Sequence, residues 1–333
     1  MDLSIIVPVY NVEKYVRPCL ESILRQNLDE ERYEIIIVND GCTDHSMEMI
    51  ADIIDAHSNI SVINQENLSL SVARNNGIAK AKGEYILMPD SDDLLIENSL
   101  PILLEKALET KADLVVADFL DLNDEAIANL KDIKQSEAVF EEKTGEKLFL
   151  EDLNPYQCYI WRTLFRRDFL INHQITFVPG VCYQDVPFAH ECYIKAKKCI
   201  RTHWLLNIYR RGRVDSASYS FNEKKAKDFC IVIAKTWELT HIQDLSPKMQ
   251  EKLRSDIYTS FSAFSYSALH GIKDASYREE LILYLRKNAP DMAFTNSMTE
   301  RIITFFFRRL PRFYFTFLRC NVKFQQITGK KQS

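Results

Sequence analysis

The stretch GEYILMPDSDD, residues 83–93, runs from an apolar segment directly into three carboxylates within four positions. The consecutive Tyr, Ile, Leu and Met favour a short buried strand, because such side chains fit a pleated, covered surface. Asp90, Asp92 and Asp93 follow where this strand is expected to end. Like charges this close together repel, and a divalent cation bound through carboxylate oxygens would remove that repulsion.

The same alternation of apolar runs and helical segments extends through the first 120 residues. Apolar spacings of three and four residues predict helices between the apolar runs. Strands that alternate with helices imply right-handed crossovers, so we predict an α/β fold with a mostly parallel, Rossmann-like sheet flanked by helices. The predicted strands are 3–10, 33–40, 60–65, 84–90 and 112–120, and the predicted helices are 11–26, 43–57, 71–83 and 97–111.

The remainder of the chain changes character twice. Residues 121–157 are charged and weakly periodic, which predicts an insertion with a helix or hairpin over the sheet, and residues beyond 221 are helical in pattern. Gly83 is predicted to end the helix that precedes it. The resulting domain prediction is an α/β domain at 1–220, with halves 1–118 and 119–220, and a helical C-terminal region at 221–333.

Composition excludes several classes of protein. The 333 residues are 46% hydrophobic and 27% charged, as in ordinary globular proteins, and no apolar run reaches the roughly 18 residues of a spanning helix. The N-terminus has no basic region typical of a signal peptide. Eight cysteines without a CxxC pair indicate reduced thiols rather than disulfides or a zinc site. We therefore expect a cytoplasmic protein.

Polar side chains lie where the first two predicted strands end, the place where ligands bind in parallel sheets. Asp40 could accept a hydrogen bond from the N–H edge of a base, although turn chemistry also explains the sequence NDG. Pro8 and Tyr10 could line the same base pocket or simply end a strand. Arg74, in the first turn of a helix, suits a diphosphate, or else pairs with an acid at the surface.

The carboxylates of residues 90–93 have two readings. Asp90 and Asp92 suit Mg²⁺ or Mn²⁺, since these ions are bound by carboxylates together with substrate phosphates. Asp93 precedes a predicted helix, so it could equally serve as the N-terminal cap of that helix. His190 and His203 are weaker candidates for further metal ligands, because a lone histidine is more often a packing or surface residue.

Four motifs, in order SIIVPVYN, VNDGCTD, SVARNNGIAKAKGEYILMPDSDD and YQDVPFAH, resemble glycosyltransferase family 2. Members of this family are inverting, nucleotide-sugar-dependent enzymes with a GT-A fold. Matching motifs are dense over 1–118 and thinner over 156–220. The resemblance implies that residues 1–118 form the nucleotide-sugar-binding half of the domain and residues 119–220 the acceptor half. The donor-binding residues that the resemblance implies are Pro8, Tyr10 and Asp40 for the base, Arg74 for the diphosphate, and Asp90, Ser91 and Asp92 of the DXD segment, with Asp92 and Asp90 on Mn²⁺ or Mg²⁺.

The resemblance also implies the acceptor side. In YQDVPF the family has Glu then Asp, and the Asp is the general base, here Asp185; Gln184 replaces the Glu, which leaves its supporting role in doubt. Ser69 stands where the family usually has Gly. Trp161 would line the acceptor or sugar side, or else be a buried structural residue.

The segment IYRRGRVDSAS resembles the flexible segment that covers the nucleotide in this family. The resemblance implies that Arg211 and Arg213, with Arg210 beside them, contact the diphosphate. The competing interpretation is a basic surface strand.

The C-terminal tail differs in charge from the rest of the chain. Residues 301–333 hold eight Lys and Arg and no acid, and 301–324 is rich in Phe and Tyr. Such a segment could lie on the inner face of the plasma membrane, or pack on the protein or on a second subunit. Nucleic acid is a poor partner for so acidic a remainder, and the oligomeric state stays open.

Together these features predict a metal-dependent inverting glycosyltransferase. It would move a sugar from a nucleotide donor, UDP in the first instance, to a hydroxyl of a glycan or lipid-linked acceptor in surface polysaccharide biosynthesis. The alternatives are a catalytically silent nucleotide-sugar-binding protein, which Gln184 suggests, and a nucleotidyltransferase. A dinucleotide-dependent enzyme is disfavoured because no GxGxxG follows the first strand.

Overall fold

The computed structural model describes residues 1–131, 133, 135, 137–154, 158–212 and 221–320. They divide into two compact units. The first comprises the described residues among 1–153, 157–180 and 188–216, and the second those among 154–156, 181–187 and 217–333.

The first unit contains one sheet, to which the described residues contribute nine strands. Its order is β3-β2-β1-β4-β8-β6-β9-β5, with β7 paired to β9. The strands are β1 Leu3–Val9, β2 Tyr33–Asn39, β3 Ile60–Asn64, β4 Tyr85–Leu87, β5 Leu94–Leu95, β6 Leu114–Leu122, β7 Phe140–Lys143, β8 Thr163–Arg166 and β9 Cys199–Arg210.

Parallel pairing dominates the N-terminal half of the sheet, where β1 pairs with β2 and β4, and β2 pairs with β3. β6 and β9 are also parallel, whereas β8 is antiparallel to β4 and β6, and β5 and β7 are antiparallel to β9. The predicted α/β fold with a flanked sheet is confirmed, but the sheet is mixed rather than mostly parallel, since four of the eight strand pairs among the described residues are antiparallel. β1 and the first six residues of β2 are entirely buried, as their nearly continuous apolar sequences predict.

Helices follow the strands as the spacing of apolar residues predicts. The charged insertion forms the short helices α5 and α6 and the strand β7, which joins the sheet beside β9. The helices up to residue 195 are α1 Val16–Leu24, α2 Ala51–Ala56, α3 Leu70–Lys80, α4 Leu100–Thr110, α5 Asp124–Ala128, α6 Gly145–Glu151, α7 Arg167–Asn172 and α8 Asp185–Lys195.

The prediction that Gly83 ends its helix is wrong. α3 ends at Lys80, and the backbone N–H of Ala81 bonds back to Gly77 and Ile78. Gly83 instead lies against β1, where a Cβ atom would come within 2.4 Å of the backbone of Leu3 and Ser4. The glycine is needed for close approach of two backbones, which local sequence does not reveal.

The second unit is helical. Its aromatic core includes Phe261, Phe294 and Phe307, and the Tyr314 hydroxyl lies 2.8 Å from that of Ser265. Within the described chain, no helix is both long and apolar enough to cross a membrane. The helices of this region are α9 Glu223–Glu238, α10 Pro247–Gly271, α11 Ala275–Asn288 and α12 Met298–Arg309.

Candidate active site

Three carboxylates converge in the turn between β4 and β5. One oxygen atom from each of Asp90, Asp92 and Asp93 lies within 4.8 Å of the others. β5 pairs with β9, with Leu94 opposite Ile208, so the turn is held at the sheet by this strand pair. The structure therefore brings Asp90 and Asp92 together, as predicted, and adds Asp93 to them.

Asp93 is the most deeply buried carboxylate of the turn, with 2% of its surface exposed. One of its oxygen atoms accepts the backbone N–H of Arg210 at 2.8 Å, and the other has no hydrogen-bond partner among the described residues. Burial, together with the charges of Asp90 and Asp92, raises the pKa of Asp93 to about 9. A carboxyl group in this environment takes up either a proton or a cation.

The interpretation of Asp93 as a helix cap is wrong. α4 begins at Leu100 with Ser99 in the N-cap position, six residues beyond Asp93. Sequence reasoning left Asp93 open between the cluster and a cap because the intervening strand β5 has only two residues. Its pairing with distant β9 could not be read from a local pattern.

Arg74 lies beside the carboxylate turn. Its guanidinium donates to an Asp90 oxygen at 2.5 Å, and its side chain is fully buried, with the guanidinium carbon 5.4 Å from the centre of the Phe177 ring. The alternative of a surface arginine is therefore wrong, although the pairing with an acid is correct. A buried, charged donor fixes the orientation of the Asp90 carboxylate.

Arg210 also contacts this turn. Its Nε donates to the Asp92 carbonyl at 2.9 Å. Its guanidinium pairs with Asp124 and lies 4.9 Å from the centre of the Tyr15 ring. Arg210 thus ties the end of β9 to the carboxylate turn.

Arg211 and Arg213, which follow Arg210, are also predicted to contact the diphosphate. The Arg211 side chain is mostly exposed, and its Nε donates to Asp121 at 2.8 Å. Arg213 lies outside the described residues. Arg211 therefore keeps an exposed guanidinium close to residues of β6.

The donor set of the carboxylate turn fits a hard divalent cation. All three ligands are carboxylate oxygens, the type that Mg²⁺ and Mn²⁺ prefer, and a buried carboxyl without a second hydrogen-bond partner leaves one oxygen for a ligand. His203 bonds Asp118 at 2.7 Å, and His190 is buried against Phe149. Neither histidine belongs to the acidic group found among the described residues.

Asp40 lies at the end of β2, and its carboxylate organises the loop between β3 and α3. It accepts hydrogen bonds from the Gln65 amide at 2.7 Å, from the Leu68 N–H at 2.8 Å and from the Ser69 N–H at 3.1 Å. A carboxylate has about four acceptor positions, so these three bonds leave one for another donor. This loop-ordering role was not anticipated from the sequence.

Pro8 and Tyr10 lie at the end of β1, separated by Val9. Pro8 is buried within the strand, whereas Tyr10 follows it and is 44% exposed. Ser91 is buried within the carboxylate turn. Tyr10, Asp40 and the carboxylate turn thus follow β1, β2 and β4, three neighbouring parallel strands of the sheet.

Ser69 has an unusual backbone conformation, with φ of +103° and ψ of 155°. Only glycine adopts this region without strain, which gives a physical reason for the glycine expected at this position. The Ser69 hydroxyl accepts the N–H of Gly180 at 3.1 Å. The side chain that causes the strain therefore also makes a tertiary hydrogen bond.

Trp161 belongs to a stack of aromatic rings. Its ring is nearly parallel to that of Tyr209, with 5.6 Å between centroids, and stacks on Tyr159 at 4.9 Å. Tyr209 pairs with Asp121 in the sheet and directly precedes Arg210. Trp161 is buried while the two tyrosines are half-buried, so a ligand at this stack would meet the tyrosines first.

Asp185, in the second unit, is the first residue of α8. The side-chain amide of Gln184 donates to an Asp185 oxygen at 2.7 Å. Tyr183, with φ of +59°, stacks on Phe229 at 4.7 Å between centroids. A neutral glutamine can therefore orient the Asp185 carboxylate, a role that the sequence left in doubt.

Comparison with known proteins identifies the family. The family model described as Glycosyl transferase family 2 matches residues 4–172, just over half of the chain. The protein belongs to this family. The predicted resemblance is thereby confirmed, and the matched range of this glycosyltransferase contains the carboxylate turn, Asp40 and Arg74.

Individual relatives agree with this assignment. The glycosyltransferase is 32% identical to EpsJ of Bacillus subtilis, described as an uncharacterized glycosyltransferase, over 63% of this chain and 61% of that protein. It is 31% identical to the poly(ribitol-phosphate) beta-glucosyltransferase of Bacillus spizizenii, over 60% of this chain and 30% of the relative. The crystal structure of S. aureus TarS 1–349 in complex with UDP-GlcNAc superposes with a TM-score of 0.72, covering 100% of this chain and 93% of that one at 18% identity. That structural likeness confirms the GT-A fold.

Proposed function

We propose that this glycosyltransferase moves a sugar from a nucleotide donor, with UDP as the nucleotide, to a hydroxyl group of a glycan or lipid-linked acceptor, with inversion at the anomeric carbon. The carrying observation is the convergence of three carboxylates in the turn after β4, with Arg74 bonded to one of them. The TarS complex contains UDP-GlcNAc, which supports UDP as the nucleotide. The poly(ribitol-phosphate) glucosyltransferase supports a role in surface polysaccharide biosynthesis.

On the donor side, Asp92 and Asp90 would hold Mn²⁺ or Mg²⁺, with Asp93 beside them. The bound cation would offset the negative charge that grows on the departing diphosphate. Arg74 keeps the Asp90 carboxylate in place, and the exposed Arg211 is available to the diphosphate. Tyr10, which follows the buried Pro8 by two residues, offers an exposed ring at the strand end to the uracil base, and the remaining acceptor position of Asp40 suits an N–H of that base.

On the acceptor side, Asp185 takes the proton from the attacking hydroxyl group as general base. The Gln184 amide donates a hydrogen bond to one oxygen of Asp185, so this base can be oriented without the Glu of the family. One base and one direct displacement invert the anomeric configuration, and no covalent nucleophile is needed. The acceptor oxygen forms the new bond as the diphosphate oxygen leaves.

The transfer reaction can be tested with the full chain. A panel of UDP-, GDP- and dTDP-sugars, with Mn²⁺, Mg²⁺ or EDTA, is screened first by thermal shift and then for release of the nucleoside diphosphate. We expect a UDP-sugar to raise the melting temperature only with metal, because a ligand that binds the folded state stabilises it by mass action. Failure of every nucleotide sugar with metal present would refute the proposal.

Asp185→Asn separates transfer from donor binding. The general base contributes roughly 10²–10⁴-fold, so the variant should lose about that factor in transfer to the acceptor while keeping the metal-dependent thermal shift. A wild-type protein that binds donor but turns over no faster than Asp185→Asn would instead be a silent nucleotide-sugar-binding protein, the alternative that Gln184 favours. Release of pyrophosphate from a nucleoside triphosphate would indicate a nucleotidyltransferase.

The proposed location is the cytoplasm, at the inner face of the plasma membrane. All eight cysteines, each within the described residues, are free, which suits a reducing compartment. The basic aromatic segment at 301–324, described as far as residue 320, supports contact with a membrane surface.

A further inference from the structure

α12 has two apolar faces, and among the described residues one of them packs inside the second unit. Ile303 and Phe307 are buried, and the Phe307 ring lies edge-on to Phe261 at 5.4 Å between centroids. Successive helical residues are 100° apart, so Met298, Ile302 and Phe305 lie within about 60° of one another, on the side opposite Phe307. These three side chains are exposed.

The exposed side chains form what we call the α12 apolar strip. Exposure is 73% for Met298 and 52% for Phe305, and two further apolar side chains follow the helix in exposed positions. Single exposed hydrophobic residues are ordinary, but five within 16 consecutive residues indicate an interaction surface. The strip consists of Met298, Ile302, Phe305, Leu310 and Phe313.

Arginines accompany the strip. Residues 301–320 contain five arginines and no acidic residue. Arg301 and Arg308 lie on the same side of α12, about 60–80° from Met298 around the helix axis. Arg308 and Arg309 form no ion pair with any described residue, whereas Arg312 pairs with Glu279 at 3.1 Å. Exposed apolar side chains beside cations without an ion pair are complementary to a surface that has an anionic outer layer over an apolar interior.

We propose that α12 docks on an anionic lipid bilayer. The strip enters the boundary between headgroups and acyl chains, and the arginines bind the lipid phosphate groups. The inference deepens the proposed location of the enzyme and names the surface that makes the contact. It does not depend on the transfer reaction, because vesicle binding is measured without donor or acceptor.

A second copy of the chain is a poorer occupant. In a two-fold symmetric dimer the same patch faces itself, so the arginines of one copy would meet those of the other with no acid at 301–320 to neutralise them. Like charges across an interface oppose association. An anionic bilayer supplies the missing negative charge.

The test is sedimentation of the full chain with lipid vesicles. Vesicles of phosphatidylcholine alone are compared with vesicles of phosphatidylcholine and phosphatidylglycerol at low and high salt. We expect binding to the anionic vesicles only, and a decrease with added salt, since the headgroup attraction is screened. No sedimentation with anionic vesicles at low salt overturns the proposal.

Two pairs of matched variants locate the surface. Ile302→Ser with Phe305→Ser should weaken vesicle binding by more than about tenfold, because both side chains leave the acyl boundary. Leu283→Ser on α11 is the apolar control, since Leu283 is 37% exposed and Ile302 is 40% exposed. This control should bind as the wild type does.

The charge variants are matched in the same way. Arg308→Glu with Arg309→Glu should weaken binding by more than about tenfold. Arg286→Glu with Lys287→Glu gives the same change in net charge, also in the last turn of a helix, and should have a much smaller effect. Equal losses in the two charge variants would mean diffuse attraction and overturn the proposal. So would a dimer that Phe305→Ser converts to a monomer without any change in vesicle binding.

Discussion

The carboxylate turn and α12 depart from the usual distribution of side chains in opposite ways. In the turn of the first unit, one oxygen of the buried Asp93 has no hydrogen-bond partner among the described residues; on α12 of the second unit, large apolar side chains are exposed. Either departure costs stability unless something outside the chain completes it. Both departures support the ligands proposed above, a cation for the turn and an anionic surface for α12.

The largest effect is expected from the turn. Asp92→Asn removes one anionic ligand, and the stabilisation of the leaving group by a cation is worth several kcal/mol, so transfer should fall by about 10³-fold. The Mn²⁺-dependent part of the donor thermal shift should disappear as well. Asp55→Asn, a change to an exposed acid on α2, is the control and should leave both measurements unchanged. Full retention of the metal-dependent shift in Asp92→Asn would place the cation elsewhere.

The second largest effect is expected from a comparison of substitutions on the buried and the exposed face of α12. Phe307→Ala opens a cavity in the core and should cost about 3–5 kcal/mol of unfolding free energy. Phe305→Ala removes an exposed ring and should stay within about 0.5 kcal/mol. Urea denaturation of both variants measures the difference. A large loss of stability in Phe305→Ala would show that the strip is covered within the protein and would undercut its role as a docking surface.

The buried acid should make stability depend on pH. The pKa of Asp93 in the folded protein is raised above its unfolded value of about 3.9, so between roughly pH 4 and pH 9 the folded state holds a proton that the unfolded chain has lost. Rising pH therefore destabilises the metal-free protein. In EDTA, the melting temperature of the wild type should fall by a few degrees relative to Asp93→Asn over this range. If the melting temperatures of the two proteins changed with pH in the same way, the raised pKa of Asp93 would be contradicted.

The smallest effect concerns Ser69. Glycine should relieve about 1–3 kcal/mol of backbone strain but lose the hydrogen bond from Gly180 and some rigidity, so Ser69→Gly should change stability by about 1 kcal/mol or less. Ser69→Ala loses the hydrogen bond and keeps the strain. The glycine variant should therefore be the more stable of the two in urea denaturation, the reverse of the usual order. A Ser69→Ala variant more stable than Ser69→Gly would mean that the backbone at this position is not strained.

Much of the fold could be predicted because its signals are local. The nearly continuous apolar runs of β1 and β2 and the three- and four-residue spacings of α4 and α9 can be recognised without tertiary information. The antiparallel partners β8, β5 and β7 could not be placed, because their pairing depends on residues up to about 114 positions away in the chain. The end of α3 was misplaced for the same reason, since Gly83 is required by its close contact with the backbone of β1 and not by the helix.

The candidate site was predicted in part. Asp90, Asp92 and Arg74 come together as expected, because parallel strands bring their ends to one edge. Asp93 was left open between the carboxylate cluster and a helix cap, and the contact of Arg210 with the turn itself was not predicted. The loop held by Asp40 was also missed. In each case the partner is remote in sequence.

The amino-acid sequence alone determined the family, the class of fold, the acidic turn and the basic aromatic tail, because each depends on residue type at short spacing. Only the tertiary structure decided which carboxylate is buried, that Gln184 holds Asp185, and which face of α12 is exposed. Burial and hydrogen bonding are set by segments that meet only when the chain has folded. A local pattern names the side chains, but the fold decides which of them lack a partner.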